Sequence, residues 1–98
     1  MMFPIIYRRI ARREFDESID WYEGQRHGLG DEFESEIQRA ITDISSFPYR
    51  YPIVERDVRQ APVDRFPFSV YYRVRAGRII VLSVFHNARN PAECQGRL

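Results

Sequence analysis

The first half of the chain passes from a strand pattern to two helical patterns. Ile5, Tyr7 and Arg9 alternate with Ile6, Arg8 and Ile10, which predicts a short first strand over roughly residues 3–9. Apolar residues then recur every three or four positions, as on the buried side of an amphipathic helix. Glycines in segment 25–30 separate two such helices, and Pro48 ends the second. The apolar stripes are Ala11, Phe15, Ile19 and Tyr22 in the first helix, and Leu29, Phe33, Ile37, Ala40, Ile41 and Ile44 in the second.

The second half has a period of two. A Pro- and Tyr-rich loop over 48–55 precedes a short predicted strand at 57–61 and a longer one at 68–75. Ala76-Gly77 predicts a hairpin, and segment 78–86 is apolar on both faces, as in a central strand. The order β-α-α-β-β-β predicts an α+β domain, in which a helical hairpin packs on a small, mostly antiparallel sheet.

Length and composition limit the class of protein. The 98 residues suit a single domain over 1–98, and 44% apolar with 14% aromatic residues is too much for a disordered chain. Cys94 is the only cysteine, which excludes an internal disulfide and a cysteine-based zinc cluster. The longest apolar stretch, 79–85, is far short of the roughly 20 residues of a membrane span. Since no leader pattern begins the chain, we expect a cytoplasmic, cofactor-free protein.

Charge is segregated along the chain although the net charge is only +1. All 15 basic residues are arginine, and none is lysine. Residues 1–13 carry +4, residues 14–43 carry −8 and residues 44–98 carry +5. This distribution predicts one acidic and one basic surface.

Candidate chemistry lies in the sheet half. There is no Gly-rich phosphate loop or nucleophile elbow, and His27 and His86 lack metal-binding spacing, so no metal site is expected. Alternation places Tyr71 and Arg73 on a face turned away from the helices, where Arg59 could join them. Arginine, tyrosine and histidine on one face could hold an RNA backbone and transfer a proton. The candidates are Arg59, Arg65, Tyr71, Arg73, His86 and Arg89.

Structural roles are an alternative for several of these side chains. Arg59 and Arg73 could solvate a sheet edge, His86 could be a hydrogen-bonded strand end, and Arg89 could clamp the tail through backbone carbonyls. Trp21 lies off the apolar stripe of its helix, so we expect it to be exposed and to contact a partner, as tryptophan often does at interfaces.

Several local strings occur in an order that matches a known family. They are 11–22 (ARREFDESIDWY), Gly28-Leu29-Gly30 with Phe33, Phe47-Pro48, Val58-Arg59, 65–72 (RFPFSVYY) and 84–91 (VFHNARNP), the last close to an H-x-x-R-x-P ending. Over nearly its whole length the chain resembles the RelE/ParE toxins of bacterial type II toxin-antitoxin modules. The resemblance implies a growth-inhibiting toxin that is neutralised by an antitoxin protein encoded next to it.

The family implies two mechanisms. RelE-like members cleave messenger RNA in the ribosomal A site without metal, whereas ParE-like members share the fold and inhibit DNA gyrase. By resemblance, Arg59 matches a second-strand arginine of the nucleases, Arg89 falls near their later arginine, and His86 lies close to a basic position. The chain departs from the nucleases because it has no lysine and no tyrosine in its C-terminal segment.

Three hypotheses follow from the resemblance. In a ribosome-dependent nuclease, Arg59 and Arg89 would hold the scissile phosphate and His86 or Tyr71 would transfer protons, with Arg65 and Arg73 as further substrate contacts. A ParE-like inhibitor would bind gyrase and need no catalytic set. A silent member would bind only its antitoxin.

Overall fold

The computed structural model describes residues 2–88 and confirms the α+β class, with one more strand than the pattern predicts. Two helices pack on one face of a five-stranded sheet. The additional strand, Ile53–Glu55, lies in the segment predicted as a loop. The elements are β1 (Ile5–Tyr7), α1 (Arg9–Gln25), α2 (Leu29–Ser46), β2 (Ile53–Glu55), β3 (Val58–Pro62), β4 (Phe68–Arg75) and β5 (Arg78–His86).

The strand order in the sheet is β1-β5-β4-β3-β2. β1 runs parallel to β5, and the other neighbours are antiparallel. β5 therefore has a partner on each side, as its apolar sequence predicted. Ala76 and Gly77 join β4 to β5, both with positive φ angles of 52° and 72°. Positive φ at both central residues suits the tight turn of a two-residue hairpin.

The helical hairpin is closed by a carboxylate that binds the start of α2. Glu23 accepts hydrogen bonds from the backbone N–H groups of Gly28 and Gly30, each at 3.0 Å. These two bonds lower the pKa of Glu23. They also satisfy amide groups that have no partner within a helix at its first turn. Gly28, with φ +88°, supplies the left-handed turn between the helices.

The main core lies between the helices and one face of the sheet. Phe15 and Phe33 from the helices meet Val70 and Tyr72 from β4, and all four side chains are fully buried. The sheet face away from the helices, which carries Tyr71 and Arg73, is partly covered. Phe85 lies opposite Ser69 across the β4–β5 ladder, and they are only 3% and 2% exposed. Because β5 is apolar on both faces, it also contributes buried residues to the face away from the helices.

Candidate binding groove

A groove of about 570 Å³ lies between α1, the start of β4 and the end of β5. One wall consists of α1 residues at helical spacing, and the other of side chains on the helix-facing side of the sheet. Apolar and acidic groups therefore share the groove. It is lined by Glu14, Glu17, Ser18, Trp21 and Tyr22 from α1, and by Phe68, Val84 and His86 from the sheet.

Trp21 lies at the mouth of the groove and is 60% exposed, as its position off the apolar stripe predicted. Its ring meets that of Tyr22 edge to face, with centroids 5.0 Å apart. Tyr22 in turn contacts Phe66 and Phe33, both at 4.9 Å. Trp21 is thus supported from one side by the aromatic core, and the rest of its ring is exposed.

Glu14 forms the floor of the groove and was not among the residues singled out from sequence. It is 8% exposed and accepts hydrogen bonds from the Ser83 hydroxyl at 2.8 Å and the Val84 N–H at 3.2 Å. These bonds fasten α1 to β5. A signal was present, because Glu14 lies three residues after Ala11 and next to Phe15, on the buried side of an amphipathic helix.

His86 enters the groove from the end of β5. Its ring packs edge to face on Phe68, with centroids 5.1 Å apart, and its Nδ1 accepts a hydrogen bond from the Ala88 N–H at 3.0 Å. His86 is thus held at the groove by one ring contact and one backbone hydrogen bond.

Arg59 does not share a face with Tyr71 and Arg73, so that expectation is wrong. Arg59 lies opposite Tyr72 in the β3–β4 ladder, and Gln60 lies opposite Tyr71. Directly opposed residues point to the same side of a sheet, which places Arg59 on the side of the helices. There its guanidinium donates to the backbone carbonyl of Tyr51 at 2.7 Å and to that of Tyr49 at 3.2 Å.

The remaining candidates occupy three other places. Arg65 reaches α2, where it donates to Glu32 Oε1 at 2.7 Å. This bond, with a second from Arg26, lowers the pKa of Glu32. Arg73 is half-buried and lies, with Tyr71, on the sheet face away from the helices. Its Nε atom is 3.4 Å from the Asp57 carboxylate. Arg89 lies outside the described residues.

Neither a metal centre nor a membrane span is indicated within residues 2–88. That part of the chain contains no cluster of three or more potential metal ligands. Neither helix is sufficiently long and apolar to cross a bilayer. The groove combines an exposed aromatic ring with apolar side chains, as surfaces that bind another molecule often do.

Comparison with solved structures places this arrangement in a known class. The fold matches a chain from a structure described as the chromosomal ParDE toxin-antitoxin system from P. aeruginosa, with a TM-score of 0.71 and 20% sequence identity. The match covers 87% of this chain and 96% of that chain. The fold is thus the α+β fold of RelE/ParE-like proteins.

A family model narrows the class. The model described as the ParE toxin of the type II toxin-antitoxin system parDE matches residues 5–91. The chain therefore belongs to the ParE toxin family of type II toxin-antitoxin systems. No curated protein matches it.

Proposed function

We propose that this protein is a toxin that inhibits DNA gyrase by binding it, without catalysing a reaction, and that an antitoxin keeps it inactive. The observation that carries the proposal is the separation of the groups that RNA cleavage would need. Arg59 and His86 lie on one side of the sheet, whereas Tyr71 and Arg73 lie on the other. The match to a ParE family model agrees with this interpretation.

Distance separates the two groups that share a face. His86 lies opposite Phe68 and Arg59 lies opposite Tyr72, four positions along β4. Four strand residues span about 13 Å. One phosphodiester cannot contact both side chains in this arrangement, since a general acid or base must lie within hydrogen-bond reach of the reacting atoms.

Existing contacts also occupy the candidates. Arg59 binds two loop carbonyls, Arg65 binds Glu32, and the Nδ1 atom of His86 accepts from the Ala88 amide. Each group therefore has a folding role that accounts for its presence. Ribosome-dependent cleavage of messenger RNA would require these contacts to be broken and the groups to be gathered at one point.

A supercoiling assay with purified gyrase and the isolated toxin tests the proposal, paired with 5′-end mapping of cellular RNA after induction of the chain alone. We expect inhibited supercoiling, growth arrest and no new RNA ends inside translated codons. The His86→Gln variant should remain toxic. New ends in codons that disappear in His86→Gln would establish the nuclease instead. Normal growth after induction would identify a silent member.

We propose the groove around Trp21 as the surface to which the antitoxin binds. Because gyrase and the antitoxin are both proposed partners, we also propose that the protein acts in the cytoplasm. An exposed indole beside a recess is typical of interface residues that carry much of the binding energy. We expect Trp21→Ala to weaken antitoxin binding by about 30-fold, equivalent to roughly 2 kcal/mol. Tyr49→Ala, at a similarly exposed aromatic outside the groove, should leave the affinity unchanged. Equal losses in both variants would contradict this placement.

A further inference from the structure

Four arginines occupy the start of α1, and the folded chain neutralises only part of their charge. We call Arg8, Arg9, Arg12 and Arg13 the N-terminal arginine patch; all four are exposed. Arg12 contacts Asp16 at 3.1 Å and lies over the Tyr7 ring, with 5.5 Å from its guanidinium carbon to the ring centroid. Within residues 2–88, Arg9 and Arg13 have no ion pair or hydrogen bond from their side chains.

This placement opposes what helix formation favours. The N-terminal end of a helix carries a partial positive charge, which acidic residues stabilise and arginines destabilise. In α1 the first turn contains no acid, and the N-cap residue Arg8 makes no side-chain capping bond. The contrast with α2 is direct, because its first turn contains Asp31 and Glu32. Within residues 2–88, Arg9 and Arg13 break this local rule without a compensating contact, and a binding role is the expected reason for such a departure.

We propose that the N-terminal arginine patch contacts the phosphate backbone of duplex DNA, with Arg9 and Arg13 as the two principal contacts. This inference deepens the proposed function and rests on it, since gyrase holds DNA while it acts. Arg9 and Arg13 are one helical turn apart, about 6 Å along α1, and project on the same side of the helix. Each can therefore bind a separate phosphate.

Arginine side chains suit the phosphate groups of the DNA that gyrase, the proposed target, holds. Arginine offers a planar, permanently charged fork that binds phosphate oxygens in pairs. Contacts of this kind depend on charge and not on base sequence, so the surface would recognise DNA in general. A duplex held by gyrase would then increase the local concentration of the toxin at its target.

The test is fluorescence anisotropy of a labelled 25-base-pair duplex of arbitrary sequence with the full-length toxin, at salt concentrations from 50 to 200 mM. The variant carries Arg9→Gln and Arg13→Gln. Each lost phosphate contact reduces the salt slope by about 0.9, so the double variant should lower it by about 1.8. The affinity advantage of the wild type should then shrink roughly tenfold across this salt range.

A matched control carries Arg56→Gln and Arg78→Gln, which remove the same charge from exposed arginines elsewhere on the surface. Arg56 lies in the turn between β2 and β3, and Arg78 is the first residue of β5. We expect this control to retain the wild-type salt slope. Equal losses in both variants would mean that only net charge matters and would overturn the proposal. Thermal unfolding should show no loss of stability in the Arg9/Arg13 variant, because cations leave the positive end of a helix. A lower Tm would assign these arginines to folding and also overturn it.

Two further outcomes separate this proposal from the proposed function. Unchanged DNA binding with weakened antitoxin binding in the Arg9/Arg13 variant would assign the patch to an acidic protein and overturn the DNA contact. DNA binding is measured without gyrase, so a toxin that fails to inhibit gyrase, yet binds DNA through Arg9 and Arg13, would refute the proposed function alone. Gyrase inhibition with DNA binding unaffected by the variant would refute the DNA contact alone.

Discussion

Gly30 of α2 packs closely against α1, and its replacement by alanine tests that packing. A methyl group at this position would lie 2.8 Å from the carbonyl oxygen of Ile19 and 3.0 Å from the Cβ of Glu23. The first of these is a backbone atom of α1, which cannot rotate away as a side chain can. Gly30→Ala therefore forces the two helices apart.

Two opposing effects determine the size of the change. Alanine is favoured over glycine inside a helix by up to about 1 kcal/mol, and by less in the first turn, where Gly30 lies. Overpacking of a well-packed site costs about 1–3 kcal/mol. The hydrogen bond from the Gly30 N–H to Glu23 at 3.0 Å is also disturbed by the shift. We therefore expect a net loss of about 1–2 kcal/mol in the free energy of unfolding.

Urea unfolding followed by circular dichroism measures this loss, and Gly24→Ala is the matched control. Gly24 is also helical, but no heavy atom lies within 4 Å of a methyl group placed there. Gly24 lies in the last turn of α1, so Gly24→Ala should stabilise the protein by less than about 1 kcal/mol, through helix propensity alone. Stabilisation of similar size in Gly30→Ala would refute the reasoning, because it would mean that the helices do not restrict this position.

Three other predictions follow from buried hydrogen bonds. Tyr72→Phe removes the hydroxyl that donates to the Pro48 carbonyl at 2.6 Å. In urea titrations this variant should lower the free energy of unfolding by about 1–3 kcal/mol. The control Tyr49→Phe, at a 62% exposed ring, should change the free energy of unfolding by less than about 0.5 kcal/mol. Burial raises the pKa of Tyr72 from 10.0 to about 12. The folded protein thus holds this proton more tightly than the unfolded chain, so the stability contribution is complete below pH 10 and is lost between pH 10 and 12. A plot of Tm against pH should show this loss. Tyr72→Phe should make the loss smaller and leave the part due to Tyr7 and Tyr22, because burial raises the pKa of both. Ser83→Ala deprives the Glu14 carboxylate of a donor at 2.8 Å and should cost about 1–3 kcal/mol in thermal unfolding analysed at Tm; no loss would mean that the carboxylate finds another donor.

The regular elements follow closely from sequence pattern, and the missed one has a physical reason. β4 and β5 begin and end where alternation and the Ala76-Gly77 turn predicted them. The strand Ile53–Glu55 escaped because three residues at a sheet edge are too few to show a period, and Pro52 precedes them. Its side chains are largely exposed, so burial did not impose alternation on it.

The site was less predictable because it depends on strand register and long-range pairing. Alternation predicts which residues of one strand share a face. It does not predict which residues of the neighbouring strand lie on that same face, because a shift of one residue in the register exchanges the two faces. Arg59 illustrates this, since only the observed register sets it opposite Tyr72. The pairing of Arg65 with Glu32 joins residues 33 positions apart, and no local pattern indicates it. Exposure of Trp21, in contrast, depends on the period of one helix and was predictable.

The contacts of these residues change which of them require a functional explanation. Arg59 holds a loop in place through the Tyr51 carbonyl, and Arg65 joins the loop between β3 and β4 to α2 through Glu32. Their contacts in the folded state therefore account for both side chains. Loss of toxicity in an Arg59→Ala variant would therefore not identify a catalytic group unless the free energy of unfolding were unchanged. Trp21, Arg9 and Arg13 are different, because they are exposed and contribute little to the stability of the folded state. Binding to another molecule therefore explains these side chains better than folding does. For this reason the groove around Trp21 and the N-terminal arginine patch are the surfaces at which we expect partners to bind.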